Sequence, residues 1–374
     1  MVGDYLAIFP AVIGGLIVTG LFLWGLYVVA TSPSARRTVI EVAKALGVHR
    51  ADDNPILRPG IYPWEAAAVM NPGVAQSGGR THLFYRALGS DGISRIGYAS
   101  SEDGIHFDER LPYPVFSLDG PDPKSPVLRS YMERMYPRLV ASGGGWGGVE
   151  DPRAVIIDDR LYLSFSAFYN WSSLRVGVVS LSVDDLLSKR WRWSPPVFIS
   201  PEYEVHKNWV IFPEKINGKF AILHSLHSGR RDRVLVDYLD SLNHVERPIH
   251  SSYEPTEQDD AWDRRVRGAG PPPIKTDKGW VLLYHANDQE EPHKYKLGAL
   301  LLDLNDPTRV LARSRGPVLS PEAYYENEGK PGVIYACGAV VRENLLRVYY
   351  GGADVVICTA TILLPKLMET FEPI

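Results

Sequence analysis

The chain has only two cysteines, Cys337 and Cys358, in 374 residues. Two thiols make neither a disulfide framework nor a cysteine-based metal motif, so they read as buried thiols in strands. Positive charge is not in excess. The formal net charge is -4, whereas a nucleic-acid binder is usually basic, and no nucleic-acid partner is expected. No zinc motif, nucleotide loop or nucleophile elbow occurs, so neither a metal nor an organic cofactor is expected. What is present is ordinary for a globular protein: 45% hydrophobic and 22% charged residues. The length allows one large domain or two or three small ones. Nine Trp and twenty Tyr hint at loops that stack on sugar rings.

Charge is also missing between Asp4 and Arg36, where the chain reads "YLAIFPAVIGGLIVTGLFLWGLYVVA". This run exceeds the ~20 apolar residues that span a bilayer as a helix. It lacks the basic start and short core of a signal peptide. The expectation is an uncleaved transmembrane anchor over residues 1–31, with a buried core helix as the alternative. Arg36, Arg37, Lys44 and Arg50 follow the run and no basic residue precedes it. The positive-inside rule then places the part that follows in the cytoplasm, anchored to the membrane by one N-terminal span. Residues 32–53 read as a juxtamembrane linker. Val39, Val42 and Leu46 stand at helical spacing there, as in a surface-lying amphipathic helix or an exposed linker helix.

Beyond Asn54 the pattern changes to short runs such as "THLFYRAL", "RLYLSFSAF", "KFAILHSL", "GWVLLYHA" and "LLRVYYGGA". Each is strand-length and follows a Gly, Asp or Asn turn. A second strand-like run follows each, as in "SRIGYASSEDGIHF" and "LRVGVVSLSVDDL". The units recur roughly every 55 to 80 residues, a repeat scale typical of arrays. Residues 54–374 are therefore expected to be all-β, a five-bladed β-propeller domain. A large β-sandwich or two all-β domains are the alternatives.

Blades converge on a central pocket, so polar residues at blade starts are the site candidates. They are Asn71 in "MNPGV", Arg86 ending "THLFYRA", Arg95 opening "SRIGYASS", and Glu150, Asp151 and Arg153 in "GGVEDPR". Lys207 in "HKNWVIFPEKINGKF", Arg267 in "VRGAGPPPIKT", His285 in "GWVLLYHA", Glu326 in "YYENEG" and Asp354 in "YYGGADVV" complete the set. A bland reading exists for each: a hairpin loop with an ion pair, a salt-bridged rim arginine, an aspartate capping a turn.

The ordered set "NPGV", "YRA", "IGYASSEDGIHF", "EDPR", "FPEKINGK", "GAGPPPIKT", "YYGGAD" resembles glycoside hydrolase family 130, from about Asn71 to Thr359. Known members of that family include β-1,4-mannosyl phosphorylases and β-mannoside hydrolases. The resemblance implies a five-bladed propeller and inverting phosphorolysis of β-1,4-linked mannosides to mannose 1-phosphate. Inorganic phosphate is then a co-substrate and an oligosaccharide the substrate. By the same carry-over Asp151 is the general acid, Asn71, Arg86, Arg95, Glu150 and Asp354 bind substrate, and Lys207, Arg267 and His285 gather phosphate. Arg264 and Arg265 rival Arg267. Glu150 would raise the Asp151 pKa and Arg153 would keep it charged, unless Arg153 braces the loop.

One departure stands out. Family phosphorylases commonly carry an arginine where this chain has Ser225 in "LHSLHSGRR". Arg230 or Arg231 would compensate, or water replaces phosphate. An inverting hydrolase then needs a carboxylate base, for which Glu204 and Glu214 are candidates. A carbohydrate-binding propeller without catalysis and a protein-binding scaffold are the readings from other classes. The stretch 117–146 is a long insertion, expected as a lid or a homo-oligomer contact.

Overall fold

The structure is a computed structural model that describes residues 47–118, 145, 147–170, 173–252, 262–287 and 291–374. It divides into two compact units, Met1–His49 and Arg50–Ile374; the fold and site described below are those of the second. The expected span and the expected helix after it fall almost wholly on residues 1–46, outside the described residues, as does most of the 117–146 insertion. Among the described residues no helix is long and apolar enough to cross a membrane. The expectation of single-span anchoring, and the cytoplasmic placement built on it, is corrected accordingly and is not retained.

Arg50–Ile374 is all-β. Five successive antiparallel units carry it. The first is Ala68–Ser77, Arg80–Leu88 and Ile93–Ser101. The second is Gly147–Ile157, Arg160–Asn170 and Ser173–Ser182. The third is Val210–Ile211, Phe220–Ser225 and Leu235–Leu239. The fourth is Arg265–Ala269, Trp280–Asn287, Lys296–Leu302 and Val310–Ser314. The fifth is Ile334–Arg342, Leu345–Gly352 and Val356–Leu363.

The turn residues explain the repeated hairpins. Gly78-Gly79, Asp158-Asp159, Asn217-Gly218 and Glu343-Asn344 all have positive φ at both positions. Two such residues form the tight turn whose twist matches paired strands. Middle strands such as Arg80–Leu88 and Trp280–Asn287 are buried almost throughout, because they are covered on both faces.

Those faces meet in five apolar cores, and the cores show the topology. Phe84 and Ile96 of the first unit pack with Leu163 and Phe165 of the second. Val176 and Val178 of the second pack with Ile211 and Ile222 of the third. Val210 and Leu223 of the third pack with Leu282 and Leu300 of the fourth. Leu283 and Leu297 of the fourth pack with Ile334 and Val348 of the fifth. Finally Val69 and Leu83 of the first pack with Tyr349 and Ile357 of the fifth. Five units with five shared cores form a closed ring; an open stack would have four. This is the arrangement of a propeller. The residues before the first unit close it: the Asn54 amide exchanges two hydrogen bonds of 2.8 Å with the Thr359 backbone.

Candidate active site

The innermost strands carry the site. In four of the five units that strand has a bulge at a corresponding place: between Met70 and Gly73, Glu150 and Arg153, Val266 and Gly268, and Ala336 and Gly338. A bulge re-aims the extra residue out of the ladder. The displaced residues include Asn71, Asp151, Arg267 and Cys337. Asn71 and Asp151 have φ of 51° and 48°, a left-handed conformation that Asn and Asp tolerate better than other side-chain-bearing residues. Thus "NPG" and "DPR" are the same local device in neighbouring units.

Asp151 is buried. The Asn71 amide donates to its Oδ1 at 2.7 Å, and Arg86 lies 3.5 Å from the same oxygen. Arg86 also donates to Glu150 at 2.8 Å and to Ser94 at 3.0 Å. Burial pushes the Asp151 carboxyl up, but the charges of Arg86 and Arg153, the Asn71 amide and Lys207 outweigh it. The net effect holds it below the usual carboxylate range. Glu150 does not dominate, because Arg86 binds it. Asn71 Oδ1 is buried with no hydrogen-bond donor among the described residues, an orphan acceptor beside the carboxylate.

Arg153 braces the loop. Its guanidinium donates to the carbonyls of Asp151, Gly270 and Ala269 and to Asn208 Oδ1. Asp354 has φ of 57° and binds Lys330 at 3.1 Å; its charge also reaches Arg86.

Beside this cluster lies a cavity of about 220 Å³ whose lining includes Lys207, Asn208, Ser225, His227 and Arg267. Neither Arg264 nor Arg265 lines it. Arg267 lies over the Tyr295 ring and donates to its hydroxyl at 2.8 Å. Ser225 turns inward, its Oγ accepting from His227 N at 3.0 Å. Arg230 is exposed and held by Asp232 at 2.7 Å, so it does not replace the absent arginine.

Three expected residues are placed differently. His285 is fully buried and stacks on Tyr335 at 4.1 Å, its Nε2 accepting from Ala336 N. Burial and the Arg153 charge push its pKa down to about 3. Enclosed in this way, the imidazole is held neutral. Arg95 is bound by Asp91 at 2.7 and 3.1 Å and is not among the partners of Asp151. Glu326 is a structural hub, accepting from Arg50, Tyr350 and the backbone of Glu322 and Ala323. The two candidate bases are also engaged. Glu204 binds His206 at 2.6 Å, and Glu214 binds exposed Lys275 at 2.5 Å. Lys275 belongs to a second, apolar cavity of about 300 Å³ toward the other end of the inner strands.

Asn208, Tyr335, Lys330 and Tyr295 were not singled out from the sequence. Asn208 had a signal: an Asn two residues before an inner strand, in the run that also holds Lys207. The tyrosines had none, since what matters is which ring each faces across the channel. No group of three or more His, Cys, Asp or Glu able to hold a metal occurs among the described residues.

The family model described as β-1,4-mannooligosaccharide phosphorylase matches residues 136–372. A 1,2-β-oligomannan phosphorylase of Thermoanaerobacter sp. (strain X514) is 36% identical over 324 residues, covering 84% of this chain and 96% of that protein. A β-1,2-mannobiose phosphorylase of the same organism is 35% identical over 330 residues, with 84% and 96% covered. Among solved structures, the β-1,2-mannobiose phosphorylase of Listeria innocua, in complex with β-1,2-mannobiose, aligns with a TM-score of 0.64 at 25% identity. That alignment covers 87% of this chain and 99% of the other. The motifs of the inner strands, the match over most of the chain and these relatives agree: this protein belongs to glycoside hydrolase family 130.

Proposed function

We propose that this chain cleaves β-mannosides by inverting phosphorolysis, releasing mannose 1-phosphate with inorganic phosphate as co-substrate and no organic cofactor. The observation that carries the reading is a buried carboxyl, Asp151, that feels the Lys207 charge and is joined through Arg153 and Asn208 to the wall of a cavity lined by Lys207 and Arg267. Asp151 supplies the proton to the leaving glycosidic oxygen. Arg86, Asp354 and Asn71 hold the mannosyl unit, and the Asn71 amide also fixes the Asp151 carboxyl. Glu150 fixes Arg86 through a buried ion pair that is costly to break from either side. Lys207 and Arg267 gather phosphate through charge-assisted bonds. It attacks the anomeric carbon on the face opposite the leaving group, so configuration inverts.

Hydrolysis gains little support. Ser225 leaves one expected cation absent, but Glu204 is hydrogen-bonded to His206 and Glu214 is paired with Lys275. For linkage, β-1,2 is the first to test in place of β-1,4, because both curated relatives described above are named for β-1,2 substrates.

The test incubates the protein with β-1,2- and β-1,4-mannobiose, with and without phosphate, and assays mannose and mannose 1-phosphate separately. Phosphate-dependent mannose 1-phosphate is expected. Free mannose formed equally in both conditions would sink the proposal in favour of hydrolysis. Asp151→Asn is expected to lower turnover by at least about 10²-fold, the lower range for general acid catalysis, with an unchanged circular dichroism spectrum. Near-full activity in that variant would remove Asp151 from the acid role.

A further inference from the structure

Asn208 joins both halves of this site, and nothing above gives it a task in the reaction. It is buried, lines the cavity and follows Lys207 in the chain. Its backbone is left-handed, with φ of 64°. Its amide is used on both sides. Nδ2 donates to the Arg267 carbonyl at 3.0 Å. Oδ1 accepts from the Tyr335 hydroxyl at 2.6 Å and from Arg153 at 3.2 Å. The fit is tight: a Cβ on Gly268 would lie 2.6 Å from Asn208 Nδ2. Asn208 thus ties the bulge that carries Arg267 to the backbone that carries Lys207. It also ties both to the arginine bracing the Asp151 loop.

We propose that Asn208 is the positioning residue of the phosphate site, holding Lys207 and Arg267 in register across the cavity. The proposal rests on the reading of that cavity as the phosphate site. Two long cations without this clamp would each lose side-chain and backbone freedom on binding the anion, and preorganisation removes that cost. No other residue type fills the position equally. Aspartate keeps the acceptor but sets an oxygen against the Arg267 carbonyl. Glycine keeps the left-handed backbone but removes the amide.

The test measures binding of inorganic phosphate and, separately, of mannose by calorimetry, using the full chain, Asn208→Gly and Asn208→Asp. Phosphate is expected to bind about tenfold more weakly to Asn208→Gly, the scale of one hydrogen bond to a positioned group. The loss is larger in Asn208→Asp, which adds a negative charge beside the anion. Mannose affinity stays within about twofold in both, and this split distinguishes positioning from a general structural role. If Asn208→Gly does not fold, Asn208→Ser, which also removes the amide and adds no charge, decides in its place. Phosphate affinity unchanged in the folded variants overturns the proposal. So does a parallel loss of mannose binding, or a wild-type chain that does not bind phosphate. A wild-type chain that binds phosphate in an Asn208-dependent way, yet forms no mannose 1-phosphate, overturns the proposed function and leaves this inference standing.

Discussion

At the scale of single residues, the informative conflict is at Asp151. A general acid needs a proton, yet the surrounding cations hold this carboxyl below its usual range. In the proposed reading the conflict eases when the site fills: phosphate at Lys207 and Arg267 would offset their positive charge, and a bound sugar would enclose the carboxyl further; both would raise its pKa. The sign is then fixed. Activity that depends on protonated Asp151 falls as pH rises through its pKa. The free-enzyme value, read in kcat/KM, lies lower than the value in the complex, read in kcat. The pH at which kcat declines is therefore expected above the pH at which kcat/KM declines. Coincident limbs in the two profiles would show that ligand charge does not act on Asp151. His285 illustrates the opposite lesson. The family resemblance puts it in the phosphate set, and the structure encloses it against the Tyr335 ring, where burial and the Arg153 charge hold the imidazole neutral.

At the scale of elements, the bulged inner strand is the unit of design. Bulges displace Asn71 and Asp151 from their ladders in the same manner, and the last unit closes over Asn71 through a glycine. A Cβ on Gly351 would stand 2.2 Å from Asn71 Oδ1 and 3.0 Å from Asn71 N. Gly351→Ala is expected to push the Asn71 amide off Asp151 and lower kcat/KM on the order of 10²-fold, as misplacements near an ångström do. Steady-state kinetics beside a melting curve checks this; an active variant would mean that the bulge tolerates displacement. Turn chemistry made the hairpins legible in the sequence, because Gly-Gly, Asp-Asp and Asn-Gly adopt positive φ readily. The bulges were legible only in part. "MNPGV" and "EDPRA" stand out, but the bulges at Arg267 and Cys337 have no proline to mark them.

At the scale of the whole molecule, a ring of five units holds only if it closes. Asn54 makes two backbone bonds to Thr359 and a third to the Tyr325 hydroxyl at 3.1 Å. Asn54→Ala is expected to cost about 1–3 kcal/mol, the penalty for unsatisfied partners, and to lower the melting midpoint while kcat/KM stays within about twofold. Loss of activity at unchanged stability would place Asn54 in catalysis instead of closure. By itself the sequence determined the all-β class, the repeat of five units and the positions of Asp151, Asn71 and Arg86. Alternation, turn residues and short motifs are local properties, and a strand's neighbours do not change them. Only the tertiary structure decided which polar residues share the centre. Arg267 was separated from Arg264 and Arg265 by a bulge register, His285 was neutralised by burial, and Arg95 was held by Asp91. Asn208 acquired its role from three partners 55 to 127 residues away in the chain. Distances of that kind are set by ring closure, which no local pattern encodes.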